Sequence, residues 1–284
     1  MNCGTLYLVA TPIGNLGDLS ARALEILHTV DLIACEDTRH SLKLLNHFGI
    51  SKPLTSYFEH NKSEKGQYLL AELLSGKNIA LVTDAGTPAI SDPGEDLVAL
   101  CIQNDIPTVS IPGAAAFVSA LIVSGLPTRQ FLFEGFLPVG KKARAEQLQP
   151  LRTLPHTLIF YEAPHKLART LQDLLDCLGD RRICLARELT KLHEEILRTT
   201  ISGAISHYES HSPKGEYVLV VEGADAAALQ AKQAADLSLI PVAEQVDALI
   251  AQGMDKKDAL KETARLRGVS KREIYNIYVR EGEQ

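Results

Sequence analysis

The sequence predicts an α/β protein: two α/β domains followed by a small helical extension. Three observations lead there. Short apolar runs alternate with helical patterns of 8–13 residues through the first half of the chain, the signature of βαβ units and a mainly parallel sheet. One run, Ile79-Ala-Leu-Val82, is apolar at every position, as in a strand covered on both faces. At 284 residues the chain is long enough for about two domains.

The elements follow in order. Residues 6–10 read as a strand, 21–28 as a helix and 32–35 as a strand. Helices over 41–48 and 62–74 are closed by Gly49 and Gly76, because glycine takes the left-handed conformation that ends a helix. A strand over 79–83, a helix over 95–103, an extended run over 108–111 and a helix over 114–123 complete a first domain, 1–125. Gly125-Leu126-Pro127 punctuates the chain there. The second domain, 126–224, reads as strand 131–133, helix 141–152, strand 157–161, helix 165–177, strands 183–187 and 194–200, helix 203–209 and strand 217–221. Its strands lie closer together in sequence, which predicts a mixed sheet. Residues 224–235 are rich in Ala and Gln and read as a linker, and 242–278 as helical, so 225–284 form the extension. No fixed-period repeat is visible.

Composition narrows the function. Hydrophobic residues at 45% and charged residues at 23% are the balance of a folded protein, not a disordered one. The longest apolar stretch, 114–123, is too short to span a bilayer, and the N-terminus lacks the basic region of a signal peptide. Five scattered cysteines, none in a Cys-x-x-Cys pair, fit neither a disulfide framework nor a zinc site and point to a reducing cytoplasm. Tryptophan is absent and aromatics are 5%, so a base-stacking platform is not expected to be the main binding device. The net charge is −6, yet residues 255–280 carry eight Lys/Arg against four Asp/Glu. That basic segment on an acidic body offers local attraction to phosphate.

Several familiar motifs fail. The turn after the first strand reads Thr11-Pro-Ile-Gly-Asn-Leu-Gly17, which has the wrong glycine spacing for a dinucleotide fingerprint. Gly135 to Lys141 approaches a phosphate loop, but Lys142 stands where a magnesium-binding hydroxyl belongs. His207 and His211 are four apart but lack the glutamate of a metalloprotease motif, and no metal is expected.

Three turns at strand ends carry more. They are Thr11-Pro12-Ile13-Gly14-Asn15, the run from Thr83 to Gly94, and Ile111-Pro-Gly113-Ala114-Ala115-Ala116. In parallel α/β sheets, ligands bind outside the carboxyl ends of the strands. Small residues in the third turn let backbone approach a ligand, and the helix that follows can aim free N–H groups at a carboxylate. Asp84 can accept hydrogen bonds from an amine or hydroxyl.

These segments carry a resemblance. Leu6 to Asp18, Ala34-Cys-Glu36-Asp37-Thr-Arg39, Asp84 to Gly94 and Ile111 to Ala115 resemble the tetrapyrrole-methylase superfamily, and within it the bacterial ribosomal RNA small-subunit methyltransferase I family. Phe133-Glu-Gly-Phe136, Phe160 to His165 and Ala186 to Lys191 extend the likeness, which covers roughly residues 4–223. The first turn departs from the G-x-G-x-G form common elsewhere in the superfamily, which favours this branch over tetrapyrrole methylation. The resemblance implies an S-adenosyl-L-methionine-dependent 2′-O-ribose methyltransferase acting on a cytidine in the decoding region of 16S ribosomal RNA, in the naked RNA or the small ribosomal subunit. It further implies two α/β domains of the tetrapyrrole-methylase type with the cofactor in the cleft between them, and a homodimer. By position, cofactor contacts would come from Pro12, Ile13, Asp84, Gly86, Thr87, Pro88, Ala89, Gly113, Ala114, Ala115, Ala116, Tyr161 and Glu162, with Ala186 and Tyr217 on the adenine side.

The 2′-hydroxyl is a weak acid, so a base or a cation favouring its alkoxide would help the transfer. Candidates are Glu36, Asp37, Glu162, Glu188 and Lys191, and the sequence leaves the choice open. Arg39 and Lys43 share one helix face and suit RNA phosphates. In the extension, helices over 257–265 and 271–278 flank a turn with Ser270 as cap and Glu273 three residues on, a helix-turn-helix pattern that brings Lys271 and Arg272 to its start. Two rival functions stand beside the first: a tetrapyrrole C-methyltransferase of the same fold, and a DNA-binding regulator using the extension.

Overall fold

The computed structural model describes residues 3–225, 237 and 239–282. The chain divides into two compact units. The first comprises residues 1–149 and 156–222 and holds two five-stranded sheets.

The first sheet has the order β3-β2-β4-β1-β5, from β1 (Leu6–Val9), β2 (Leu32–Cys35), β3 (Leu54–Ser56), β4 (Ile79–Val82) and β5 (Thr108–Ile111). Every pairing is parallel. Strand side chains alternate between faces. Leu6, Leu32, Ala34, Ile79 and Leu81 therefore meet Leu69, Leu70 and Leu73 of α3 (Lys62–Leu74) and Leu97 and Cys101 of α4 (Gly94–Gln103). Val9, Ile33, Cys35, Ala80, Val82 and Ile111 face Ala23 and Leu27 of α1 (Ala21–Thr29) and Leu45 of α2 (Thr38–His47). Burial on both faces explains the unbroken apolar run in β4. Ser20 caps α1 by accepting from Ala23 N at 3.1 Å, and Asp37 caps α2 by accepting from Arg39 N at 2.8 Å. The short strand β3 was not expected.

The second sheet is mixed, as expected. Its order is β6-β7-β10-β8-β9, from β6 (Phe131–Phe136), β7 (Thr157–Glu162), β8 (Arg182–Arg187), β9 (Glu195–Thr200) and β10 (Tyr217–Val221). Strands β6 and β7 run parallel and the other pairs antiparallel. One face packs on Ala120 and Leu121 of α5 (Ala116–Val123). Also in this unit are α6 (Lys141–Leu148), α7 (Leu167–Leu178) and α8 (Ile201–Ser210), with α7 against both others. The predicted helix over 141–152 is shorter because the chain tightens into a 3₁₀ turn at Gln149–Thr153.

The second unit, residues 150–155 and 223–284, contains α9 (Val242–Ala251), α10 (Lys256–Arg267) and α11 (Lys271–Gly282). Val242, Val246, Ala259, Leu260, Ala264 and Ile274 form its core. Gly268 ends α10 in the left-handed conformation (φ 66°), and Ser270 Oγ accepts from Glu273 N at 3.2 Å. The helical run over 242–278 is thus three helices. Most of the linker read over 224–235 lies outside the described residues. Among the described residues no helix is long and apolar enough to cross a membrane, and none of the five cysteines is joined in a disulfide.

Candidate active site

The three strand-end turns of the first sheet are fastened to one another. Thr11 N donates to Gly86 O at 2.8 Å, and Gly86 N donates back to Thr11 O at 3.1 Å. Thr87 Oγ1 donates to Ala114 O at 3.0 Å. Together they form one wall of a cavity of about 360 Å³, whose opposite wall comes from the second sheet.

Of the predicted cofactor contacts, the cavity is lined by Ile13, Gly86, Thr87, Ala115, Ala116, Tyr161, Glu162, Ala186 and Tyr217. Pro12, Asp84, Pro88, Ala89, Gly113 and Ala114 do not line it. Asp84 Oδ1 accepts from Asp37 N at 3.2 Å, so it ties two loops together. Gly113 packs tightly elsewhere: a Cβ there would lie 2.8 Å from Ala10 Cβ. Ala89 (φ 67°) and Ser91 (φ 65°) sit in a left-handed backbone region that costs non-glycine residues energy. Asp92 holds that loop by accepting from Ala89 N, Ile90 N and Gly94 N at 3.0, 3.3 and 2.8 Å.

The predicted catalytic residues separate. Glu36 lines the cavity, and its carboxyl is pushed up by partial burial and by the neighbouring charges of Asp84 and Asp92. Asp37 lies outside the cavity lining. It caps α2 and pairs with Arg39, which hold its carboxyl down at about 2. Glu162 is 3% exposed, with Oε1 accepting from Ala163 N at 2.8 Å and Oε2 from Thr170 Oγ1 at 2.5 Å. Lys191 and Glu188 both line the cavity and pair at 2.9 Å, and that ammonium is the main cause holding the Glu188 carboxyl low.

Sequence reading missed Thr83, Ile90, Ser91, Asp92, Phe117, Phe136, Leu189, Glu216 and Val218 on the lining. Ser91 and Asp92 lay inside a segment singled out for other residues. Glu216 and Val218 flank Tyr217, an adjacency that could have flagged them. Among the described residues the lining holds five carboxylates, from Glu36, Asp92, Glu162, Glu188 and Glu216, and a single ammonium, from Lys191. Such walls focus a field that favours a cationic ligand. α5 begins at the cavity, and its N-cap Ala115 makes no side-chain cap; the Phe117 N–H of its first turn is taken by the Tyr161 hydroxyl, which leaves the N–H groups of Ala115 and Ala116 nearest the cavity to meet an anion.

The predicted RNA contacts lie outside the cavity lining. Arg39 and Lys43 are exposed on α2, and Lys271 and Arg272 on the first turn of α11 in the second unit. Among the described residues, no cluster of three His, Cys, Asp or Glu side chains could hold a metal ion.

Known proteins are similar to this chain in sequence and in fold. The family of Tetrapyrrole (Corrin/Porphyrin) Methylases matches residues 5–205. The ribosomal RNA small subunit methyltransferase I of Halalkalibacterium halodurans is 51% identical over 278 residues, 98% of this chain and 96% of that one. This chain belongs to the ribosomal RNA small subunit methyltransferase I family. Two solved structures share the methylase fold at low identity. A diphthine synthase covers 78% of this chain and 90% of its own, at 15% identity and a TM-score of 0.62. The uroporphyrin-III C-methyltransferase of Thermus thermophilus, complexed with S-adenyl homocysteine, covers 76% and 97%, at 18% identity and 0.54.

Proposed function

We propose that this protein transfers a methyl group from S-adenosyl-L-methionine to the ribose 2′-oxygen of a cytidine in the decoding region of 16S ribosomal RNA. The observation that carries the reading is the cavity's charge: five carboxylates and one ammonium around the start of α5, which has no side-chain cap. The cofactor is a sulfonium bearing an ammonium and a carboxylate, and it supplies an already activated methyl group. The residues fit it. Acidic walls suit its two positive groups, and the N–H groups at Ala115 and Ala116 suit its carboxylate. Tyr161 and Phe117 offer ring faces to adenine.

Glu36 takes the proton of the 2′-hydroxyl in this reading. Among the described residues its carboxyl has no hydrogen-bond donor closer than Thr83 Oγ1 at 3.4 Å, and its raised proton affinity makes it the better base. Glu162 is held from both oxygens and positions the end of β7. Lys191, kept in place by Glu188, places a positive charge where it favours the alkoxide. Arg39, Lys43, Lys271 and Arg272 grip phosphates outside the cavity. The relative from Halalkalibacterium halodurans, named for ribosomal RNA, supports the RNA as acceptor.

The test is transfer of labelled methyl from S-adenosyl-L-methionine to 16S RNA taken from cells lacking this protein, as naked RNA and as small subunits. Label in RNA supports the reading. Label only in an added porphyrinoid would replace it with tetrapyrrole methylation.

A further inference from the structure

Four aromatic rings line the cavity, and they are not equivalent. Tyr217 is 1% exposed, Phe117 and Tyr161 are half-buried, and Phe136 is 55% exposed. A large apolar ring left open beside an acidic cavity gains nothing from the fold by that exposure.

The fold goes out of its way to put it there. β6 pairs with β7 through Phe133↔Ile159, but the next pairs are Gly135↔Phe160 and Phe136↔Tyr161. The extra residue is a β-bulge, and a bulge re-aims the side chains after it. Without it Phe136 would pair with Glu162, whose carboxylate is held by Thr170 of α7. A one-residue shift exchanges faces, so the bulge sets Phe136 beside Tyr161, with ring centroids 5.4 Å apart. Gly135 supplies the left-handed backbone (φ 65°) that the bend needs.

The loop after Phe136 is equally fixed. Arg144 is 2% exposed and donates to Pro138 O and Val139 O at 3.0 and 2.9 Å while pairing with Asp173. Arg169 donates to Val139 O at 2.7 Å. Burying a guanidinium is costly unless its bonds are made, so this loop is built to stay put. Lys142 pairs with Glu146, whereas Lys141 and Arg169 have no carboxylate partner among the described residues. Beyond Phe136 the chain thus places two cations, Lys141 and Arg169, beside one carboxylate, Glu134, which accepts from Gln147 Nε2 at 2.6 Å, while the cavity lining itself is acidic.

We infer that Phe136 is the stacking surface for the base of the nucleotide whose ribose is methylated, with Lys141 and Arg169 facing the adjoining phosphates. The inference rests on the RNA methyltransferase reading above. An acidic cavity repels phosphates and the two cations hold them, so only the nucleoside reaches inward. An unstacked base needs a ring face, and RNA recognition commonly supplies one.

The test is steady-state kinetics of F136A and F136Y, with small-subunit RNA varied, beside direct measurement of S-adenosyl-L-methionine binding. F136A should raise KM for RNA by about 5- to 150-fold, the range of losing one base stack, with kcat and cofactor affinity held. F136Y keeps a ring and should stay near wild type. An unchanged KM in F136A overturns the inference, and so does a loss of cofactor affinity, which would assign the ring to the cofactor. A wild-type protein that leaves RNA unmethylated under every condition fails the underlying reading instead.

Discussion

Gly14 and Lys191 touch across the two sheets of the first unit. A Cβ on Gly14 would overlap Lys191 Cγ and lie 2.8 Å from Thr190 Oγ1 and 3.0 Å from Leu189 O. The loop it meets is strained, with Glu188 at φ 51° and Thr190 at φ 67°. The first turn thus seats the loop that carries the ammonium of the cavity lining.

Gly14→Ala should therefore displace Lys191 while the protein stays folded. A shift of about 1 Å near reacting groups costs on the order of 100-fold in rate. Circular dichroism and the melting temperature should be near wild type while kcat falls. Full activity would mean that Lys191 does not act on the acceptor.

Glu36→Gln should lower kcat by about 10²- to 10⁴-fold, the usual contribution of a positioned base. The pH profile adds a sign. Glu36 works deprotonated, and burial with Asp84 and Asp92 raises its proton affinity, so activity should climb as pH rises through that raised value and then level off. Asp84→Asn removes a like charge and should move the climb to lower pH. A profile identical in wild type and Glu36→Gln would remove Glu36 from the mechanism.

Thr170→Val tests the positioning of Glu162. It leaves a buried carboxylate oxygen without its donor, at a cost of about 1–3 kcal/mol seen in urea unfolding. Thr170→Ser keeps the hydroxyl and should recover most of that loss.

Gly113→Ala should destabilise by about 1–3 kcal/mol through overpacking against Ala10, and Ala10→Gly in the same chain should relieve it. Cofactor affinity in the folded fraction should be unchanged. Additive losses in the double variant would show that the two positions do not meet.

Lys271→Ala and Arg272→Ala should weaken RNA binding and flatten its salt dependence. The log–log slope should fall by about 0.7–0.9 for each phosphate that is no longer neutralised. Filter binding at several salt concentrations reads both.

Much of this architecture was legible because its signals are local. The unbroken apolar β4 announced a two-faced sheet, and glycines after α2 and α3 marked their ends. The small-residue turns were found because backbone approach needs Gly and Ala. Strand β3 was not found, since Leu54–Ser56 is three residues long and only half-buried, too short for any periodicity. The bulge at Gly135 was invisible because register is a property of two strands, not one. Asp84 shows what spacing cannot reveal: its Oδ1 accepts from the backbone N–H of Asp37, a partner 47 positions away in the chain.

The central claim is that the methyl group goes to a ribose oxygen of 16S RNA. Mass spectrometry of nucleosides from 16S RNA, compared between cells with and without the protein, tests it most directly. The account predicts that one cytidine of the decoding region loses a methyl carried on its ribose when the protein is absent. A methyl lost from a base instead, or 16S RNA modified identically in both cells, would contradict it.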